Sequence, residues 1–271
     1  MTDISLLGRS IADGVATLTL QNPGKLNSLS IELQRALLAE LSKLREDRSV
    51  RALVLTGSGS AFCAGADLQE MQQAAAAMEP SIGEWLARMM AGLTNPIVQA
   101  LREMPVPVVC AVNGAAVGAG AGLALAGDIV LMARSAYFYL PFVPRLGLVP
   151  DMGTTWLLPR RIGRARAVAM TLLGERVGAE QALQWGLAWG CSDDDRLAAD
   201  AAALAGRLAA LPGDAALETR MAYDASERND LPDQLAYEAR RQCDLIERAP
   251  FAEGVRAFLE KREPNFNARD F

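Results

Sequence analysis

The chain twice interrupts an apolar, strand-like run with small residues and then continues as a helix-like run. The longer example, VVCAVNGAAVGAGAGLALAGD, extends from Val108 to Asp128, and the shorter, AFCAGADL, from Ala61 to Leu68. Alternating strands and helices imply crossovers between parallel strands, which predicts an α/β fold. Small residues at the breaks leave backbone N–H groups uncrowded, which favours an oxyanion hole and acyl chemistry. The glycines also suit a plain packing role, in which they let a helix lie close to a strand.

None of the 271 residues is histidine. This absence excludes Ser-His-Asp and Cys-His catalysis, His-ligated zinc and imidazole bases. Proton transfer is therefore left to carboxylates, with Lys, Tyr and Cys as secondary candidates. The cysteines form no C-x-x-C pair, so neither a metal site nor a redox motif is predicted. They are Cys63, Cys110, Cys191 and Cys243.

The charge and hydropathy patterns limit the partners of the chain. A net charge of −5 disfavours nucleic acid as the main partner. The stretch from 106 to 127 carries no charge and is long enough for a transmembrane helix. However, Pro105 and Pro107 flank its strand-like start, and Asn113-Gly114 is a turn signal, so no membrane segment is predicted. The N-terminal residues do not resemble a signal peptide, which predicts a cytoplasmic protein with free thiols.

Hydrophobic periodicity divides the chain into a sheet-bearing part and a helical part. Strands are predicted at 14–20, 51–56, 106–112, 129–133 and 136–140, and helices at 31–47 and 118–126. From residue 154 onward the pattern is almost entirely helical. Residues 1–195 are therefore predicted to form the core and residues 196–271 a C-terminal helical region. That region either covers the core or packs between subunits.

Four blocks in a fixed order carry a resemblance to a known family. They are NPGKLNSLS (22–30), AFCAGADLQEM (61–71), NGAAVGAGAGLALAGDIV (113–130) and GLVPDMGTTWLLPRRIG (147–163). Together they resemble the crotonase, or enoyl-CoA hydratase/isomerase, superfamily, and the match extends to EGVRAFLEKR (253–262). The resemblance implies a crotonase-like ββα spiral core, a coenzyme A thioester as substrate and no permanently bound cofactor. It also implies a homotrimer or homohexamer with contacts through the C-terminal helices.

The resemblance assigns the oxyanion hole to two backbone N–H groups, those of Ala66 and Ala119. They would stabilise the enolate that forms when a proton leaves the carbon next to the thioester. Further contacts to the substrate or to coenzyme A are expected from a set of seven residues. These are Lys25, Ala64, Asp67, Leu68, Phe142, Phe258 and Lys261. For the two lysines a solvated side chain, and for Phe258 simple core packing, remain the alternatives.

The sequence departs from the hydratase pattern at both catalytic glutamates. Alignment on Gly118-Ala119-Gly120 places Gly122 at the first glutamate position and Phe142 at the second. Neither residue can carry a proton, so hydration by two glutamates is not expected. Among other carboxylates, Glu70 and Glu79 fall in a segment expected to form a lid over the pocket.

Asp151 is the predicted acid/base. Its motif, LVPDMG, resembles the branch of 2-(1,2-epoxy-1,2-dihydrophenyl)acetyl-CoA isomerases of phenylacetate degradation, in which one aspartate transfers the proton. The alternative role is an N-cap of the helix that follows. The two roles differ in pKa, since capping lowers the pKa of a carboxyl group and an apolar pocket raises it.

These observations predict an isomerase that shifts a double bond in an enoyl-CoA or rearranges an epoxyphenylacetyl-CoA. One alternative is an enoyl-CoA hydratase in which Asp151 alone handles both water and proton. An alternative of another class is a non-catalytic acyl-CoA-binding protein, because loss of both glutamates also fits a protein that only holds its ligand.

Overall fold

The computed structural model describes residues 6–77 and 81–266. Ten strands lie in this part of the chain: β1 (Leu7–Ala12), β2 (Val15–Leu20), β3 (Ala52–Gly57), β4 (Ala61–Cys63), β5 (Val108–Val112), β6 (Ala115–Val117), β7 (Ile129–Ala133), β8 (Tyr137–Tyr139), β9 (Val177–Gly178) and β10 (Gly190–Ser192). The α-helices described are α1 (Ile31–Glu46), α2 (Leu68–Ala77), α3 (Ile82–Met89), α4 (Asn95–Arg102), α5 (Ala119–Leu125), α6 (Thr154–Leu173), α7 (Ala179–Trp185), α8 (Leu197–Ala209), α9 (Gly213–Ser226), α10 (Leu231–Ile246) and α11 (Ala249–Glu260). Two π-helical turns, Met90–Thr94 and Phe142–Leu146, and one 3₁₀ turn, Pro23–Lys25, complete the regular structure there.

The strands form two sheets. The larger has the order β1-β2-β3-β5-β7-β10, and only its β1–β2 pair is antiparallel. The smaller has the order β4-β6-β8-β9, with β8 and β9 antiparallel. In three successive units, a strand of the larger sheet is followed by one of the smaller sheet and then by a helix: β3-β4-α2, β5-β6-α5 and β7-β8-α6. This repetition confirms the predicted α/β class and the crotonase-like ββα spiral core.

The central strand and the first helix illustrate why the sequence adopts these elements. All five residues of β5, VVCAV, are buried, as expected for an apolar strand covered on both faces. Helix α1 begins where Ser30 Oγ accepts a hydrogen bond from Leu33 N at 3.2 Å, which is N-capping. Its buried residues, Leu33, Gln34, Leu37, Leu41 and Leu44, recur at helical spacing.

The uncharged stretch from 106 to 127 contributes β5, β6 and α5 rather than one long helix. Among the described residues, none of the helices combines the length and the apolar character needed to cross a bilayer.

The structure adds strands that periodicity did not predict. β1, LGRSIA, is an antiparallel edge strand whose last four residues are exposed, so it shows no alternation of apolar and polar residues. β9 and β10 span two and three residues, which is too short for a periodic signal. The region after residue 154 therefore also contributes to both sheets.

The C-terminal helical region begins with a helix that covers the core. Buried residues on α8 recur every four positions, and α8 packs against β3 and β5. They are Leu197, Ala201, Ala205 and Ala209. Helices α10 and α11 instead leave large apolar side chains exposed, namely Leu231, Leu235, Ile246, Phe251, Val255, Phe258 and Leu259.

We expect Gly206→Ala to raise the free energy of unfolding by about 0.5–1 kcal/mol. Gly206 lies inside α8, is exposed, and has no atom within 4 Å of the position that a Cβ would occupy. Alanine there reduces the conformational entropy of the unfolded chain without a clash. Urea unfolding of the wild type and of Gly206→Ala measures the difference in free energy. A variant less stable than the wild type would contradict the finding that the space around Gly206 is open.

Candidate active site

A narrow cavity lies between α1, α2, α3, the start of α5 and the segment that precedes α6. Its lining is mostly apolar and contains five polar side chains. The residues are Leu29, Ile31, Gln34, Ala66, Asp67, Leu68, Glu70, Met71, Trp85, Leu86, Met89, Met90, Thr94, Ala119, Phe142, Leu146, Leu148 and Asp151. Six predicted site residues meet here, namely Ala66, Asp67, Leu68, Ala119, Phe142 and Asp151. The cavity thus unites residues that are up to 85 positions apart, from 66 to 151.

The loop after β4 and the start of α5 approach each other because glycines occupy the contact. Gly65 has a φ of +90°, and a Cβ there would lie 2.7 Å from Val117 O and 3.3 Å from Ala119 N. A Cβ on Gly120 would lie 2.1 Å from Cys63 O, far inside van der Waals contact. Side chains at these two positions would separate the segments that carry Ala66 and Ala119.

The N–H groups of Ala66 and Ala119 have no acceptor among the residues that the structure describes. Leu29 pairs with Ala66 in a parallel bridge, but Leu29 N donates to Gly65 O at 2.7 Å and leaves the Ala66 N–H out of that contact. Ala119 is the first residue of α5. Within the described ranges, neither N–H donates a hydrogen bond. Both residues line the cavity, so two donors are available to an oxygen atom there.

Asp151 places a carboxyl group in this apolar environment. Burial raises its pKa from 3.8 to about 6, although a hydrogen bond from its own backbone N–H lowers it somewhat. Its Oδ1 atom is buried and has no hydrogen-bond partner among the described residues. A carboxyl group with a pKa near neutrality and a free oxygen atom can both accept and return a proton.

The N-cap alternative for Asp151 does not describe what its side chain does. Helix α6 begins after Gly153, which has a φ of +71° and provides no side-chain cap. The contact from the helix start to Asp151 is a hydrogen bond from Thr154 N to the main-chain oxygen at 2.9 Å. The described contacts therefore show no capping hydrogen bond from the helix start to the carboxyl group of Asp151, a residue that lines the cavity.

Both positions aligned with the hydratase glutamates have structural roles. A Cβ on Gly122 would lie 2.5 Å from Met152 Cβ and 2.7 Å from Thr154 Oγ1, so no side chain fits there. Phe142 is buried at the cavity wall, and its ring tip lies 3.7 Å from the position of a Cβ on Gly118. Neither position therefore provides a carboxyl group to the cavity.

Lys25 and Asp67 form an ion pair at the edge of the cavity. Lys25 Nζ lies 2.8 Å from Asp67 Oδ2, and Asp67 Oδ1 accepts hydrogen bonds from Gln69 N and Glu70 N at the start of α2. The hydrogen bond from Lys25 lowers the pKa of Asp67, and the pKa of Lys25 is raised in turn. Lys25 remains half exposed, which leaves its ammonium group accessible.

The remaining predicted contacts do not line the cavity. Ala64 N donates to Leu26 O at 2.9 Å and holds the loop before Ala66. Phe258, on α11, is 83% exposed, and Lys261 follows that helix at a φ of +52°. Their assignments as contacts to coenzyme A therefore stay predictions.

The structure adds cavity residues that the sequence analysis did not assign. Gln34 on α1 and Thr94 at the end of a π-helical turn are both buried and polar. Glu70 lines the cavity, and its Oε2 accepts a hydrogen bond from Ile31 N at 2.9 Å; that its segment forms a lid stays a prediction. Glu79 lies outside the described residues. In the parts of the chain that are described, no three His, Cys, Asp or Glu side chains cluster as metal ligands would.

Comparison with known proteins decides the family. Residues 10–269 match the model of the family described as enoyl-CoA hydratase/isomerase. The chain belongs to the enoyl-CoA hydratase/isomerase, or crotonase, family. The description of the family names both hydration and isomerisation of enoyl-CoAs. The conclusion agrees with the ββα spiral and with the pair of free N–H groups at the cavity.

Some of the individual relatives are named isomerases and others hydratases. A 1,2-epoxyphenylacetyl-CoA isomerase from Escherichia coli is 44% identical over 96% of this chain and 97% of its own length. A protein from Rhodobacter capsulatus named "Probable enoyl-CoA hydratase" is also 44% identical, over 96% of both chains. An enoyl-CoA hydratase structure from Bacillus anthracis has a TM-score of 0.88 and 31% identity, with 97% of this chain and 99% of that chain covered.

Proposed function

We propose that this crotonase-family protein is an acyl-CoA isomerase that shifts a double bond with Asp151 as its one acid/base. The observation that carries the proposal is the carboxyl group of Asp151, which lies in an apolar cavity with one unpartnered oxygen atom and a pKa of about 6. The same cavity contains Ala66 and Ala119, whose N–H groups are free to bind a thioester oxygen.

The steps follow from these groups. The thioester oxygen of a 3-enoyl-CoA accepts hydrogen bonds from the N–H groups of Ala66 and Ala119. Asp151 removes a proton from C2, and the negative charge of the resulting enolate is stabilised at the thioester oxygen. Asp151 then returns the proton to C4, which gives the conjugated 2-enoyl-CoA. No atom is gained or lost, so neither a metal nor a redox cofactor is required.

Two features favour isomerisation over hydration. Gly122 has no room for a side chain, and Phe142 is apolar, so neither position provides a second group to activate water. The name of the Escherichia coli relative supports the same class and adds the rearrangement of an epoxyphenylacetyl-CoA to the proposal. Hydration with Asp151 alone is the second candidate, because the Rhodobacter capsulatus relative carries a hydratase name.

The test is to incubate the protein with a 3-enoyl-CoA and to follow both absorbance and product mass. We expect conjugated 2-enoyl-CoA to form with no change in mass. A mass increase of one water molecule would instead assign the protein as a hydratase. Absence of turnover with enoyl-CoAs and with an epoxyphenylacetyl-CoA would support the non-catalytic acyl-CoA-binding alternative.

We further propose that the protein forms a homotrimer or homohexamer through its C-terminal helices. The exposed apolar side chains on α10 and α11 support this, since such surfaces in one chain are commonly buried against another. We expect light scattering to give three or six times the chain mass of 28.9 kDa. A mass of one chain would contradict the proposal.

A further inference from the structure

Two polar side chains interrupt the apolar wall of the cavity. Gln34 is 3% exposed and Thr94 is 5% exposed, and both line the cavity among leucine, methionine and tryptophan side chains. Neither has a part in the proton transfer proposed above. Burying such groups is unfavourable unless they form hydrogen bonds, so their presence at this wall requires an explanation.

The hydrogen bonds of the pair leave part of its capacity unused. Thr94 Oγ1 donates to Gln34 Oε1 at 2.7 Å, and Gln34 Nε2 donates to Leu29 O at 2.9 Å. Among the described residues, the second N–H of Gln34 has only Met89 Sδ, at 3.9 Å, and a thioether sulfur is a weak acceptor. The same sulfur atom lies 3.4 Å from Thr94 Oγ1. The Thr94 oxygen also retains a lone pair. One donor and one acceptor are therefore held at the cavity wall with weak partners or none.

The backbone around Thr94 is also unusual. Residues Met90–Thr94 form a π-helical turn between α3 and α4, and Thr94 is its last residue. Such turns are rare and occur frequently at functional sites. Thr94 is the buried residue of this turn, which brings its hydroxyl group against Gln34 on α1. The pair is thus fixed by two separate elements of the fold.

We propose that Gln34 and Thr94 determine substrate choice by binding an oxygen atom of the acyl group. The preferred substrates are acyl-CoAs whose acyl group carries an ether, epoxide, hydroxyl or carbonyl oxygen in addition to the thioester. The inference rests on the proposed function in so far as the acyl group occupies this cavity. Gln34 Nε2 donates to the acyl oxygen, and Thr94 holds the amide of Gln34 in the orientation that directs this N–H to the cavity.

A hydrocarbon chain in the same place offers no acceptor. It leaves the second N–H of Gln34 with the weak sulfur contact, whereas an acyl oxygen replaces that contact with a conventional hydrogen bond. A single hydrogen bond of this kind corresponds to a preference of about tenfold in Kd. The discrimination should depend on where the oxygen atom lies along the chain, because the pair has a fixed position.

The experiment measures binding of unreactive ligands by calorimetry. Octanoyl-CoA is compared with a set of analogues in which an ether oxygen replaces each methylene in turn beyond the α-carbon. We expect the wild-type protein to bind at least one ether analogue about tenfold more tightly than octanoyl-CoA. Gln34→Met and Thr94→Val should each reduce this ratio to about one, while Thr94→Ser, which keeps the hydroxyl group, should preserve it. Thermal unfolding verifies that each variant is folded.

Two results would overturn the inference. The first is that the wild-type protein binds no ether analogue more tightly than octanoyl-CoA. A wild-type protein that binds neither octanoyl-CoA nor any ether analogue gives the same result. The other is a folded Gln34→Met variant with the wild-type ratio. Because the ligands are unreactive, the outcome is independent of turnover. If the protein isomerises a 3-enoyl-CoA but shows no preference for an ether analogue, the proposed function stands and this inference fails. If it prefers an ether analogue but does not isomerise a 3-enoyl-CoA, this inference stands and the proposed function fails.

Discussion

Asp151→Asn is expected to lower the rate of double-bond isomerisation by about 10²–10⁴-fold, the usual contribution of a positioned acid/base. The amide has nearly the same shape as the carboxyl group but cannot accept the C2 proton. The measurement is kcat for a 3-enoyl-CoA, with wild type and variant assayed side by side. A variant that retained most of its activity would show that another group transfers the proton.

The wild-type pH profile provides a second test of the same assignment. Burial holds the pKa of Asp151 at about 6, and only the deprotonated carboxylate accepts a proton. We therefore expect kcat/KM to rise with pH through about 6 and then to level off. A profile already flat at pH 5 would contradict the environment described for Asp151.

Stability distinguishes a loss of chemistry from a loss of structure in this variant. The folded protein binds the Asp151 proton more tightly than the unfolded chain, in which the pKa is near the ordinary value of 3.8. This group therefore contributes stability that is fully present below pH 3.8 and is lost as the pH rises through about 6. The loss amounts to about 3 kcal/mol. Asparagine does not titrate, so above pH 6 the variant should unfold at no lower temperature than the wild type.

Gly120→Ala is expected to reduce kcat by about 10²–10³-fold, as removal of one oxyanion donor does. The new Cβ would lie 2.1 Å from Cys63 O, so the loop after β4 and the start of α5 must separate. In the proposed mechanism, the N–H groups of Ala66 and Ala119 then no longer bind the same thioester oxygen atom. The assay is again kcat with a 3-enoyl-CoA, at substrate concentrations that saturate the variant.

Gly206→Ala is the matched control, because it adds the same methyl group to an exposed helical glycine with no atom nearby. It should retain wild-type kcat. Gly65→Ala provides an independent route to the same loss, since its Cβ would lie 2.7 Å from Val117 O. If Gly120→Ala and Gly65→Ala are folded and both turn over substrate at the wild-type rate, the two N–H groups do not form the oxyanion hole.

The parts of the fold that the sequence predicted are those with a local signal. Apolar runs such as VVCAV, and a helix with leucines at regular spacing after a capping serine, gave β5 and α1 with nearly correct limits. β1 was not predicted because its own residues carry no periodic signal, and it becomes a strand through its hydrogen bonds to β2. β10 was missed because its three residues join the sheet only beside β7.

The same distinction applies to the site. Ala66, Ala119 and Asp151 lie in motifs that resemble the family, and the structure brings all three to one cavity. Gln34 was not identified, although a signal was available. It lies three residues before Leu37 and seven before Leu41, on the buried face of α1, where a polar residue is unexpected. Its partner Thr94 is 60 positions away, and no periodicity connects the two.

Most of the cavity lining comes from two sets of chain segments. The segments that contain Ala66, Ala119 and Asp151 belong to the ββα units, whose strands form the two sheets. Another part of the lining, with Trp85, Met89 and Thr94, comes from α3 and the π-helical turn, which form part of neither sheet. If the acyl group binds in this cavity as proposed, substitutions within residues 81–102 would alter its fit and leave the segments that contain Ala66, Ala119 and Asp151 unchanged.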